Sequence, residues 1–181
     1  MSHRSCADLF YLEGMPYLTT IAKGIIFTTA DTMENRKSDT MLDGILGIIA
    51  FYKLKGFDVK HIFSDNEFKP MKEDIQKEGK ADLNPAATIE HVSHVERNIN
   101  TIKGRVRSSI QDIPYVYEAL PNNFKKELVL TSASMLHAIP RRAGISQGYS
   151  PRQLVTVKSL KFNKHCALAP GNSCLVHEER M

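Results

Sequence analysis

Three short runs of hydrophobic residues and threonine, separated by glycine-containing breaks, open the chain and predict three β-strands. They span residues 7–12, 16–21 and 25–29, and Thr, Ile, Tyr and Phe are frequent in them. Glu13-Gly14 and Lys23-Gly24 separate them. This enrichment between glycine-containing breaks is typical of strands. Because the connections are short, we expect the three strands to pair antiparallel.

The spacing of the hydrophobic residues changes after residue 36. Apolar side chains then recur every three to five positions, which predicts a helix across 36–55. A strand-like run at 57–64 follows and ends at Asp65. A strand, a helix and a second strand favour a parallel pair. The predicted apolar face of the helix carries Leu42, Ile45, Leu46, Ile49 and Leu54.

Further elements follow in the middle of the chain. Residues 70–78 are typical of a short helix with Pro at its first turn. Residues 82–87 predict a fifth strand, which Pro85 interrupts. Together the segments predict an α/β fold with a five-stranded mixed sheet, three strands antiparallel and two parallel, flanked by helices.

A basic helix is predicted across 93–110. Ser93 and Glu96 have the spacing of a capping box, in which the glutamate side chain turns back to the serine N–H. Alternatively the helix begins earlier, near Glu90, which leaves Glu96 free on one face. The apolar face predicted to dock on the sheet consists of Val95, Ile99, Ile102 and Val106.

The last third of the chain is punctuated by proline and glycine. Residues 121–139 predict another helix, and 140–151 predict a loop. Short strand-like pieces follow, such as the one at 173–177. No internal repeat interrupts this succession of elements.

Composition bounds these predictions without changing them. A length of 181 residues, with 42% hydrophobic and 24% charged positions, fits one ordinary globular domain. Three cysteines without a CxxC pair predict neither a disulfide framework nor a zinc site. The longest uncharged apolar run, at 44–52, is too short to cross a bilayer. We therefore expect no membrane segment, and a nuclear or cytoplasmic location.

Three acidic residues are candidates for a metal site. Asp8 lies in the first predicted strand, Asp65 ends the fourth, and Glu96 lies in the basic helix. Carboxylates that converge repel one another unless a cation lies among them. Hard oxygen ligands of this kind suit Mg²⁺ or Mn²⁺. Each residue also has an ordinary alternative: a solvated strand carboxylate for Asp8, an Asx turn for Asp65 and the helix cap for Glu96.

Basic residues follow Glu96 at helical spacing. Asn100, Lys103 and Arg107 continue one stripe of the helix from Glu96, and Arg97 borders it. The stripe could be no more than a solvated helix face. Beside an acidic metal site, however, such residues would hold an anionic nucleic-acid backbone.

Taken together, four segments resemble the integrase catalytic core of copia-type retrotransposons, within the retroviral integrase superfamily. The segments are CADLFYLEGMPYLTTIAKGIIF, GFDVKHIFSDNEF, EHVSHVERNINTIKGRVR and SPRQLVTVK. They are similar to the family's strand-borne Asp, its second Asp segment, its Glu-Arg helix and the Ser/Thr-Pro boundary after it. The resemblance runs from about Cys6 to Lys158.

The resemblance implies a ribonuclease-H-like fold and a D-D-E triad of Asp8, Asp65 and Glu96. It implies two bound Mg²⁺ or Mn²⁺ ions, 3′-end processing, and strand transfer of element DNA into target DNA. The expected partner is DNA, with nucleic-acid contacts from Arg97, Asn100, Lys103 and Arg107 and a possible homo-oligomer.

The implied catalytic core spans residues 1–147, and 148–181 form a C-terminal extension that begins a following module. The resemblance further implies that the chain is part of a mobile-element polyprotein. Two alternatives stay open: a catalytically inactive nucleic-acid-binding remnant and a ribonuclease-H-type nuclease.

Overall fold

The structure is a computed structural model that describes residues 2–85, 89–113, 116 and 119–159. Five strands form one sheet in the order β3-β2-β1-β4-β5. The strand-like piece expected at 173–177 lies outside the described residues. The strands are β1 (Ser2–Leu12), β2 (Met15–Ala22), β3 (Phe27–Thr32), β4 (Asp58–Phe63) and β5 (Asp82–Asn84).

The sheet is mixed, as the sequence predicts. β1, β2 and β3 pair antiparallel, whereas β4 is parallel to β1 and β5 is parallel to β4. The turn from β1 to β2 consists of Glu13 and Gly14, which both have positive φ, 51° and 76°. Positive φ at both positions is the geometry of a type I′ turn, whose twist matches that of paired antiparallel strands. The predicted meander and the predicted parallel pair are both confirmed.

Helices cover both faces of the sheet. Helix α1 (Ser38–Leu54) is followed by a composite segment: a 3₁₀ turn (Asn66–Met71), the single α-turn α2 (Lys72–Asp74) and a π turn (Ile75–Gly79). These elements replace the regular short helix expected at 70–78. The remaining helices are α3 (Ile89–Gln111), α4 (Asn122–Met135) and α5 (Pro151–Thr156).

Alternation along the strands divides the core into two clusters. In β1, Ala7 packs in a cluster with α1 and the composite segment, whereas Cys6 and Phe10 pack in a second cluster with α3 and α4. Because side chains of a strand alternate between faces, Asp8 lies on the α3 side with Cys6 and Phe10. The sheet therefore presents Asp8 towards the helix that carries Glu96.

The predicted apolar face of α3 is confirmed. Its four residues are buried in the second cluster together with Cys6 and Phe10. The four are Val95, Ile99, Ile102 and Val106.

For α1 the prediction is correct for Ile45 and Ile49, which are buried, but wrong for Leu54, which is 86% exposed. Leu54 is the last residue of the helix, beyond the sheet that the other apolar side chains cover.

The capping box predicted at Ser93 is wrong, because α3 begins at Ile89. Ser93 thus lies inside the helix rather than at its N-cap. This agrees with the alternative start near Glu90. The Glu96 side chain is consequently on an exposed part of the helix rather than at its first turn.

A short helix was missed directly after the segment predicted as a loop. Helix α5 begins at a complete capping box, in which the Ser150 hydroxyl accepts from the Gln153 N–H and the Gln153 side chain accepts from the Ser150 N–H. Val155 of α5 packs in the first core cluster. The boundary at 147/148 stays a prediction. No helix within the described ranges is long and apolar enough to cross a membrane.

A buried histidine makes the stability of this fold depend on pH. His137 is 7% exposed and stacks on Phe27, with ring centroids 4.2 Å apart. Burial, together with the charges of Arg152 and Arg141, lowers the pKa of His137 to about 4, although a hydrogen bond to the Thr28 backbone opposes the shift. The unfolded chain therefore takes up a proton as pH falls through about 6.5, before the folded chain does.

We expect the contribution of His137 to be fully present above about pH 6.5 and lost as pH falls towards 4, by about 3 kcal/mol in all. His137→Phe keeps an aromatic ring against Phe27 and cannot titrate. Urea unfolding at a series of pH values should give a free-energy difference between wild type and variant that changes over this window. A difference that is constant with pH would contradict the assignment.

Candidate functional site

Two of the three candidate carboxylates, Asp8 and Asp65, lie just beyond the last parallel pair of β1 and β4. Cys6 of β1 is in register with Phe63 of β4. Asp8 and Asp65 each follow their member of this pair by two residues. Asp65 therefore follows the carboxyl end of β4, where open α/β sheets place ligand-binding residues.

The pKa of Asp8 shows how the site acts on this carboxyl group. Burial raises it first, and the charges of Asp65, Glu96 and Glu67 raise it further. A hydrogen bond from the Leu9 N–H opposes these effects, and the resulting pKa is about 6. Negative charges on the other two candidate carboxylates thus disfavour ionisation of Asp8, although burial is the larger cause.

Asp65 is half-buried and begins the 3₁₀ turn. Its Oδ1 atom accepts from the Glu67 N–H at 3.1 Å, so the Asx-type turn named as the alternative is present. Burial raises the pKa of Asp65, and so does the charge of Glu67, whereas the Glu67 N–H and Arg36 lower it. The Glu67 carboxylate itself pairs with the Arg36 guanidinium.

Each aspartate keeps one oxygen available. Oδ1 of Asp8 accepts from the Leu9 N–H at 2.8 Å, and Oδ1 of Asp65 is occupied by the turn. Within the described ranges, no hydrogen bond involves Oδ2 of either residue. Hard carboxylate oxygens are suitable donors for Mg²⁺ or Mn²⁺, so the chemistry of the donor set fits such an ion.

The carboxylate oxygens of Asp8, Asp65 and Glu96 do not lie close enough together in this structure to share a metal ion. Among the residues it describes, no three His, Cys, Asp or Glu side chains lie close enough to hold a metal ion. The strands and α3 bring Asp65 and Glu96 each within electrostatic reach of Asp8. Their role as a metal triad stays a prediction.

A groove lies between α3 and β1 beside Glu96. It has a volume of about 460 Å³, and Asn100 and Lys103 line it together with Glu96. The Lys103 ammonium is 5.8 Å from the centre of the Phe10 ring, close enough for a cation–π contact. Two of the four residues expected to contact nucleic acid therefore share a groove with the candidate carboxylate.

The other two residues lie elsewhere. Arg107 is exposed and lines none of the described cavities that hold Glu96 or Arg97. Arg97 points away from the Glu96 groove into a different cavity, which it shares with Arg141 and Arg142. Sequence reasoning missed these two arginines, because they belong to the segment predicted as a loop. In the sequence around them, only the adjacent pair Arg141-Arg142 itself indicated a concentration of positive charge.

Comparisons with known proteins identify the fold. No protein-family model and no curated protein sequence matches the chain. Among solved structures, the chain is similar to the crystal structure of the catalytic core domain of BIV integrase, with a TM-score of 0.58 and 17% sequence identity. The match covers 86% of this chain and 94% of the BIV chain. The protein therefore has the ribonuclease-H-like fold of a retroviral integrase catalytic core.

Proposed function

We propose that this chain is a metal-dependent polynucleotidyl transferase acting on DNA. Asp8, Asp65 and Glu96 are the proposed triad, and the reactions are 3′-end processing and strand transfer of element DNA. The proposal is supported chiefly by the position of Asp8 and Asp65, each two residues beyond the last parallel pair of β1 and β4, Cys6 and Phe63, with Asp8 on the sheet face covered by α3.

The triad would hold two divalent cations through carboxylate oxygens. When bound, such ions supply Lewis-acid stabilisation of the attacked phosphate and lower the pKa of an attacking water. The oxygen of water or of a DNA 3′-hydroxyl forms a bond to phosphorus while the bond from phosphorus to the leaving oxygen breaks. Lys103 and Asn100 in the groove beside Glu96 would hold the strand in line for this displacement.

The burial of Asp8 supports this arrangement. A carboxyl group whose pKa has risen to about 6 because of burial and neighbouring anions would regain a low pKa beside a cation. Cation binding should therefore release protons from the protein near pH 6.

A supercoiled plasmid and a labelled duplex provide the test. With Mg²⁺ or Mn²⁺ we expect nicked plasmid, and labelled strands longer than the substrate where one 3′-end has been joined to another duplex. With EDTA we expect neither. Nicked plasmid without longer strands would indicate a ribonuclease-H-type nuclease instead of a transferase.

A second function is a non-catalytic nucleic-acid-binding protein with the same fold. It is favoured by the spacing of the acidic side chains, since no three of those described lie close enough to hold a metal ion. Binding to DNA that weakens steeply with salt, without nicking in either metal, would support this function and overturn the enzymatic proposal.

A further inference from the structure

A second cavity of about 570 Å³ lies where the turn between β2 and β3 meets α3 and the segment after α4. We call it the basic cavity, and its cationic lining is Lys23, Arg97, Arg141 and Arg142. Ile21 and Ile26 contribute apolar surface, and no carboxylate lines the described cavity. Its volume is in the range of ligand-binding sites.

The arginines of the basic cavity lack acidic partners among the described residues. None of the ion pairs found there includes Arg97, Arg141 or Arg142. Burial lowers the pKa of Arg141, and the charge of Arg105 lowers it further. Positive charge is therefore concentrated in a cleft with partly apolar walls, which strengthens its attraction for an anion.

Arg141 is fixed in place by the backbone. Its Nε and Nη2 atoms both donate to the Leu136 carbonyl at the C-terminus of α4, at 3.2 and 3.0 Å. This contact alone is an ordinary helix C-terminal cap. It does not account for Arg97, which comes from α3, or for Arg142, and these two approach the same cavity from separate elements. Three guanidinium groups on two elements thus face one space.

The basic cavity lies along the sheet from the candidate carboxylates, since Ala22 of its lining pairs with Ser5, three residues before Asp8 on β1. Arg97 follows Glu96 on α3, about 100° further around the helix. Lys23 Nζ lies 5.7 Å from the centre of the Phe63 ring, and Phe63 precedes Asp65 by two residues. A nucleic-acid strand with one phosphate at the carboxylates could therefore continue towards the basic cavity.

We propose that the basic cavity binds backbone phosphates of the nucleic-acid strand on which the carboxylates act. Arginine forks bind phosphate oxygens bidentately. The apolar wall suits the sugar or base that accompanies each phosphate. The choice of a nucleic-acid ligand rests on the proposed function, but binding at the basic cavity does not require a metal ion.

The test measures binding of a fluorescent 20-nucleotide strand by anisotropy in EDTA, over a range of salt concentrations. Arg97→Gln combined with Arg142→Gln should raise Kd about tenfold. The slope of log Kd against log salt concentration should fall by about 1.4, because each lost phosphate contact to a single strand accounts for about 0.7. Arg141 is left intact because it caps α4.

The matched control combines Lys53→Gln with Lys77→Gln, two exposed cations on the α1 side of the sheet. It removes the same charge and should leave Kd within about twofold of wild type. Equal weakening in both double variants would show a general charge effect and overturn the proposal. Circular dichroism of both variants checks that the fold is retained.

Two competitors identify the ligand chemistry. In one outcome, pyrophosphate binds as tightly as the strand and loses the same affinity in the Arg97/Arg142 double variant. That result would assign the cavity to a free phosphate compound and overturn the proposal that it binds a nucleic-acid strand. Polyglutamate that competes as well as the strand would assign it to an acidic peptide. Arginine-dependent strand binding in a protein that never nicks DNA would leave the basic cavity established and remove only the enzymatic proposal.

Discussion

Asp65→Asn is expected to reduce Mg²⁺-dependent nicking of a DNA duplex by about a thousandfold or more while leaving the fold intact. Loss of an anionic metal ligand removes several kcal/mol of transition-state stabilisation, and about 1.4 kcal/mol corresponds to a tenfold change in rate. The Asn side chain retains an oxygen that can accept from the Glu67 N–H, as Oδ1 of Asp65 does at 3.1 Å. The turn that follows β4 should therefore form as in wild type.

Asp58→Asn is the matched control, because it makes the same chemical change at the exposed start of β4. Asp58 pairs with Lys60 at the surface, an interaction that contributes little to stability. Initial rates of nicking should be unchanged in this variant, and both variants should unfold at the wild-type temperature. Wild-type activity in folded Asp65→Asn would remove Asp65 from the proposed triad.

The sheet could be predicted because each strand carries its own signal. β1 and β2 place apolar side chains on both faces of the sheet, and Glu13-Gly14 is a short glycine-containing break between them. β3 was predicted two residues early. Ile26 has a positive φ of 57°, an unfavourable conformation for a branched side chain, which extends the turn and delays the strand to Phe27.

The start of α3 illustrates a limit of local patterns. Ser93 and Glu96 have the spacing of a capping box, yet the same two residue types are tolerated inside a helix. Apolar packing decides between these arrangements, since α3 is anchored on the sheet by residues such as Ile99 and Ile102. At Ser150 the same local pattern did mark a helix start, because the following Pro151 suits the first turn.

The composition of the candidate site could be predicted only in part. Asn100 and Lys103 share a groove with Glu96 because they follow it at helical spacing on one face. That Arg97 lines the same cavity as Arg141 and Arg142 could not be predicted, because it depends on how α4 and the segment after it pack beside α3. Contacts between elements distant in the chain leave no periodic signal in the sequence.

Ile102→Ala is expected to lower the free energy of unfolding by about 3 kcal/mol, within the range of 2–5 kcal/mol typical of buried isoleucine truncation. Ile102 is fully buried at the centre of the α3 face that packs on Cys6 and Phe10. Ile139→Ala makes the same change at a residue that is 63% exposed and should cost less than about 0.5 kcal/mol. Urea unfolding at one temperature compares the two variants. Equal losses would contradict the docking of α3 on the sheet, which is the contact that holds Glu96 opposite Asp8.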